Sequence, residues 1–131
     1  MKLKLALITA LCILLLSCKN SEPAVEVAEQ TFSVTTFSFE SAEIKGDTLY
    51  TTVSYSGGCG EHIFELEANG TMMKSLPPKQ PLRIIHRSTN DPCRAHIVEL
   101  HKFDISSYRG TPTGLTIILL ENWNQHLSYN Y

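Results

Sequence analysis

A chain of 131 residues is long enough for one domain with a modest core. Its 11 basic and 13 acidic side chains give a formal charge of −2 with no basic stripe, which argues against a nucleic-acid partner. Reading in chain order, Lys2 and Lys4 form a short positive start and Leu5 to Leu16 is a run of twelve residues, apolar but for Thr9. A membrane-spanning helix needs about 20 residues, so the run fits the h-region of a signal peptide better than a transmembrane anchor.

Leu15-Leu16-Ser17-Cys18 ends that run. The stretch resembles the lipobox of bacterial lipoproteins: an aliphatic residue, a tolerant position, a small residue, then cysteine. The resemblance covers residues 1–18 and implies a signal peptide at 1–17, cleavage before Cys18, and lipidation of Cys18 through a diacylglycerol thioether, usually with a further acyl chain on the new amino group. Two or three chains make a stable anchor, since each buried CH₂ contributes about 0.8 kcal/mol. The partner so implied is a membrane, met through the lipid. Lys19 follows where enteric-type bacteria use Asp for inner-membrane retention, which implies the outer membrane of a bacterial cell envelope.

Loss of Lys2 and Lys4 with the signal moves the formal charge from −2 to −4. Residues 18–30, with the polar and acidic KNSEPAVEVAEQ after Cys18, read as a flexible tether. A helix over Ala24–Gln30 is the alternative, but so short an isolated helix is marginal in water.

From Thr31 the hydrophobic period is mostly two, and residues 31–131 read as one all-β domain. In Thr31–Phe39, Phe32 and Val34 share one face and Phe37 and Phe39 the other, which predicts a bulge or bend between them. Leu49, Thr51, Val53 and Tyr55 are in phase. So are His62, Phe64 and Leu66, with Glu61, Glu65 and Glu67 opposite, and Ala68-Asn69-Gly70 reads as a turn. The prolines of Leu76–Pro81 argue against a central strand there. Leu82–Arg87 and Arg94–Phe103 are further strands, with Val98 and Leu100 opposing Ala95 and Ile97 in the second. Asp104–Tyr108 reads as a helical turn capped by Asp104. Leu115–Leu120 is the most apolar stretch and is expected to be the central strand, with Ile117 and Leu119 as core positions. Leu127, Tyr129 and Tyr131 alternate in a final strand. About seven or eight short strands with regular turn signals predict a small β-sandwich on an N-terminal flexible tether, with a small closed barrel as runner-up.

Four cysteines are present. Cys12 lies in the signal segment and Cys18 carries lipid, which leaves Cys59 and Cys93 in a compartment where disulfides persist. Each stands three residues before a histidine, His62 and His96, so four ligands for tetrahedral zinc are conceivable. Export favours oxidation, and strand alternation would send each histidine to the face opposite its cysteine. The expectation is a Cys59–Cys93 disulfide and no metal site.

His62, His86, His96, His101 and His126 could bind metal without the cysteines. They lack His-x-His or H-E-x-x-H spacing, which favours surface or hydrogen-bonded core roles, with His62 and His86 in phase with core residues. Ser54 and Ser56 flank a Gly-Gly-Cys turn without the G-x-S-x-G pattern of a nucleophile elbow, Glu65 and Glu67 read as a solvated face, and no phosphate loop precedes a helix. No catalytic residue and no cofactor is assigned. Trp123, between two asparagines, either covers the sandwich end, which is favoured, or meets a partner at a loop tip. The functional expectation is a lipid-anchored, non-enzymatic binding or structural module with a protein or glycan partner. A histidine-based metal-binding lipoprotein and a small hydrolase or inhibitor are the rivals.

Overall fold

The computed structural model describes residues 30–131. The signal segment, Cys18 and the tether up to residue 29 lie outside the described residues. Eight strands follow in order: β1 Ser33–Val34, β2 Ser38–Lys45, β3 Thr48–Gly57, β4 His62–Ala68, β5 Lys79–Ser88, β6 Ala95–Asp104, β7 Leu115–Leu120 and β8 Leu127–Asn130. They make an all-β sandwich. The smaller sheet is antiparallel, in the order β2-β3-β6. In the larger sheet β5 is the hub. β4 runs antiparallel along one edge of β5, while its other edge is shared by β1 near Ser88 and by β7, parallel, near Lys79. β8 pairs antiparallel with β7.

The core lies where period-two faces meet. Leu49 and Val53 of β3, Leu82 and Ile84 of β5, Ile118 and Leu120 of β7, and Leu127 and Tyr129 of β8 are buried, and Ile105 beside a 3₁₀ turn at Ser106–Tyr108 fills the end. Asp104 Oδ1 accepts the Ser106 N–H at 2.8 Å in an Asx turn, while Ile105 rather than the expected Asp104 stands at the N-cap of the 3₁₀ turn. Arg109, just after this turn, donates to both oxygens of Asp47 at 2.7 and 2.8 Å and to Tyr129 Oη at 3.0 Å. That fork ties the β2–β3 turn to β8.

Four expectations need correction. Ile117 and Leu119 are only half-buried, and Ile118 and Leu120 hold the core phase with Thr116. The run is apolar on both faces, so alternation could not set its phase. A threonine sits in that phase because Thr116 Oγ1 accepts the Gly110 N–H at 2.8 Å and shares a hydrogen bond with Tyr131 Oη. β7 is interior, yet β5 has more neighbours and is the central strand. β5 also starts within the proline segment, at Lys79. Pro81 is tolerated because β4 ends beside it: the Pro81 carbonyl accepts the Asn69 N–H at 3.0 Å, just past the last β4 pair, Ala68 with Leu82. Finally, Thr31–Phe39 is two strands in different sheets. The chain crosses between sheets at Thr36 and Phe37, the face change seen in the sequence, and leaves Val34 71% exposed. The β-bulge falls later, between Phe39 and Ser41.

Thr51 is fully buried and its hydroxyl has no hydrogen-bond partner among the described residues. Replacement by the near-isosteric valine removes that unsatisfied group, so Thr51→Val should raise the unfolding free energy by about 1 kcal/mol in urea melts. A loss of stability would mean that the hydroxyl is partnered.

Candidate functional site

Cys59 and Cys93 are joined as a disulfide, with Cα atoms 5.6 Å apart. Both lie in loops, one entering β4 and one entering β6. Between the loops sits Asp91. Its Oδ1 accepts the Cys93 N–H at 2.8 Å in an Asx turn, and its Oδ2 accepts the Gly58 N–H at 2.8 Å, with the Cys59 N–H shared at 3.2–3.3 Å.

A line of hydrogen bonds runs from Asp91 into the sandwich. Asp91 Oδ2 is 2.9 Å from His62 Nε2, His62 Nδ1 is 2.9 Å from His86 Nε2, and His86 Nδ1 is 2.9 Å from Thr35 Oγ1. His62 is the first residue of β4 and lies opposite Ser88 of β5, so its inward ring meets that of His86, two residues back along β5. Gly57 lets Asp91 in: a Cβ there would stand 2.6 Å from Asp91 Oδ2 and 2.8 Å from His62 Nε2. Aromatic rings wall the pair. Phe64 stacks on His86 at 4.1 Å, and the Tyr55 ring lies 4.6 Å from His62 and 4.8 Å from His86. Burial, a hydrogen bond to Glu99 and the nearby carboxylates push the Tyr55 hydroxyl up to about 12.

The chain has a direction. Burial alone would raise the Asp91 carboxyl, but hydrogen bonds from His62 and from the N–H groups of Gly60, Cys93 and Cys59 hold it below the usual carboxylate range. Asp91 is therefore a pure acceptor, and His62 Nε2–H donates to it. When each ring carries a single proton, His62 Nδ1 accepts, His86 Nε2–H donates to it and His86 Nδ1 accepts in turn; a second proton on His62 would reverse that order. The Thr35 hydroxyl supplies that last proton. The Thr36 carbonyl also lies 3.4 Å from His86 Nδ1 and accepts from it only when that nitrogen carries the proton.

Two openings flank the chain. A cleft of about 340 Å³ beside the disulfide is lined by Tyr55, Gly58, Gly60, His62, Ile97 and Glu99. A crevice of about 440 Å³ lies at the far end, between β1 and β7, with half-buried Thr35 and buried His86 in its lining.

The other residues singled out from the sequence fall elsewhere. His96 pairs with Ser56 and points to the outer face of the small sheet, whereas His62 points inward, so Cys59, His62, Cys93 and His96 do not converge. His101 lies on the inner face of β6, 4.2 Å from the Phe64 ring, with Nε2 buried and 3.4 Å from Glu99 Oε2, outside hydrogen-bond geometry. Ser54 Oγ donates to Glu40 at 2.6 Å. Glu65 and Glu67 pair with Arg87 and Arg83 on the solvated face. Trp123 folds onto the core edge against Phe39, with ring centroids 5.9 Å apart. Thr35 and Asp91 were missed as site residues. Asp91 had a signal, the Asp-Pro-Cys turn, and Thr35 had none.

No protein-family model matches the chain, and neither a curated protein nor a solved structure does.

Protonation should weaken this arrangement in two steps. Burial holds the His86 ring below the usual histidine range, with His62 and His101 adding to the effect against the Thr36 carbonyl and Glu99. Both His86 and Asp91 are depressed in the fold, so the unfolded chain binds protons first as pH falls and stability is lost. Urea midpoints should be level above the ordinary histidine value of 6.5, decline below it, and decline again below the ordinary carboxylate value of 3.8. Midpoints that rise on acidification from neutral pH would contradict the lowered His86 and Asp91.

Proposed function

We propose that this protein is a lipid-anchored component of the bacterial cell envelope, held at the outer membrane through Cys18, whose β-sandwich is a non-enzymatic binding module for a protein or glycan. The observation that carries the reading is the Cys59–Cys93 disulfide. A cross-link between two loops supports an oxidising, extracytoplasmic setting, which is where the lipobox-like Leu15-Leu16-Ser17-Cys18 would deliver the chain. The same cross-link fixes the rim around Asp91 and His62, as a rigid recognition surface requires.

Lipidation is tested by Cys18→Ser. The thioether forms on that sulfur, so the variant should leave the membrane fraction or accumulate as unprocessed precursor, while the parent stays in the membrane and labels with radioactive palmitate. A parent chain that takes no label and fractionates like the variant would remove the anchor.

A further inference from the structure

We infer that the crevice between β1 and β7 is a binding site for the free amino terminus of a peptide, its α-ammonium group and first carbonyl together. The inference rests on the binding-module reading above and names the ligand chemistry.

The sheet is interrupted there. β1 and β7 approach the same edge of β5 from opposite ends. Thr35 N–H donates to the His86 carbonyl and Glu121 N–H to the Leu82 carbonyl, each at 2.9 Å. Both chains then turn away. In a strand, alternate residues direct their N–H and C=O to the same edge, so Ile84, midway between Leu82 and His86, turns both groups to this one. Among the described residues, no strand residue pairs with Ile84 on this edge. Ile84, Thr35 and Glu121 all line the crevice.

The polarity of the histidine chain sets what fits. With His86 Nδ1 unprotonated, the Thr35 proton is committed to His86, and Thr35 Oγ1 faces a ligand as an acceptor. The Ile84 carbonyl is an acceptor too, as is the Glu121 carboxylate, whose Oε1 also accepts from Asn69 Nδ2 at 3.2 Å. Arg83 also lines the crevice, but Glu67 on β4 holds its guanidinium. Three acceptors match the three N–H donors of a primary ammonium. The Ile84 N–H is left to donate, and it sits where the carbonyl of a strand residue opposite Ile84 would accept it. An amino-terminal residue supplies both groups at that spacing, as in β-augmentation and terminal-amine capture.

The test is NMR titration of the intact, isotopically labelled protein with alanyl-alanine amide, its N-acetylated form, and propylamine. The expected result is saturable binding of the dipeptide amide with a shift of the Ile84 N–H. Acetylation and Thr35→Val should each weaken it by at least about tenfold, while Thr35→Ser retains it. Nitrogen shifts of the two rings should show both His62 and His86 protonated on Nε2. Equal binding of the acetylated form, no perturbation at Ile84, or His86 protonated on Nδ1 would overturn the inference without needing any variant to fold. Propylamine binding as tightly as the dipeptide would overturn the role given to the Ile84 N–H. None of these readings depends on Cys18: a lipidated protein with an inert crevice loses this inference alone, and an unlipidated one that binds the dipeptide loses the anchor alone.

Discussion

Ile118→Asn should lower the unfolding free energy by about 4 kcal/mol, combining lost apolar packing with an amide buried without a partner. Ile118 is fully buried in the core cluster with Leu82, Leu120 and Tyr129, and it pairs with Leu127 of β8. A domain of this size has only about 5–15 kcal/mol in hand, so the variant should be largely unfolded near physiological temperature. Ile117→Asn, one position along and half-buried, should lose less than about half as much. Equilibrium urea unfolding of the two variants gives the comparison. The reverse order would place the β7 side chains in the wrong phase.

Removing the cross-link should have the next largest effect. Cys59 and Cys93 are 34 residues apart in sequence, and closing a loop of that size stabilises by roughly 3–4 kcal/mol in the chain-entropy model. Cys59→Ser combined with Cys93→Ser avoids an odd thiol and should show that loss in urea melts, as should the parent protein after reduction. Zinc should not restore the reduced protein, because His62 points inward and His96 outward. A change below about 1 kcal/mol would mean that the two loops stay docked through Asp91 alone.

Period two exposed most of the fold to sequence reading. Leu49, Thr51, Val53 and Tyr55 are buried on one face of β3, and the ring pair of the site was visible as His62 in phase with Phe64 and His86 in phase with Leu82 and Ile84. The disulfide was legible from parity and from the extracytoplasmic compartment that the lipobox resemblance implies. Phase failed where both faces are apolar, as in Leu115–Leu120, because alternation carries no information there. Pro81 misled for a local reason: its missing N–H matters only if a neighbour needs it, and β4 ends beside it. The far end of the site was not legible. Thr35 becomes significant only because β1 pairs with β5 and brings it to His86, 51 positions further along the chain, and the crevice exists because β1 and β7 meet one strand edge head to head. Both facts belong to sheet topology, which periodicity does not encode.

The central claim is an exported, lipid-anchored sandwich closed by one disulfide, and a single measurement meets it directly: mass analysis of the native, non-reduced protein after proteolysis. The account predicts an amino-terminal peptide that begins at Cys18 and carries a diacylglycerol thioether, together with a Cys59–Cys93 cross-linked pair two hydrogens lighter than its free peptides. An unmodified chain that retains Met1, with Cys59 and Cys93 recovered as free thiols, would contradict it.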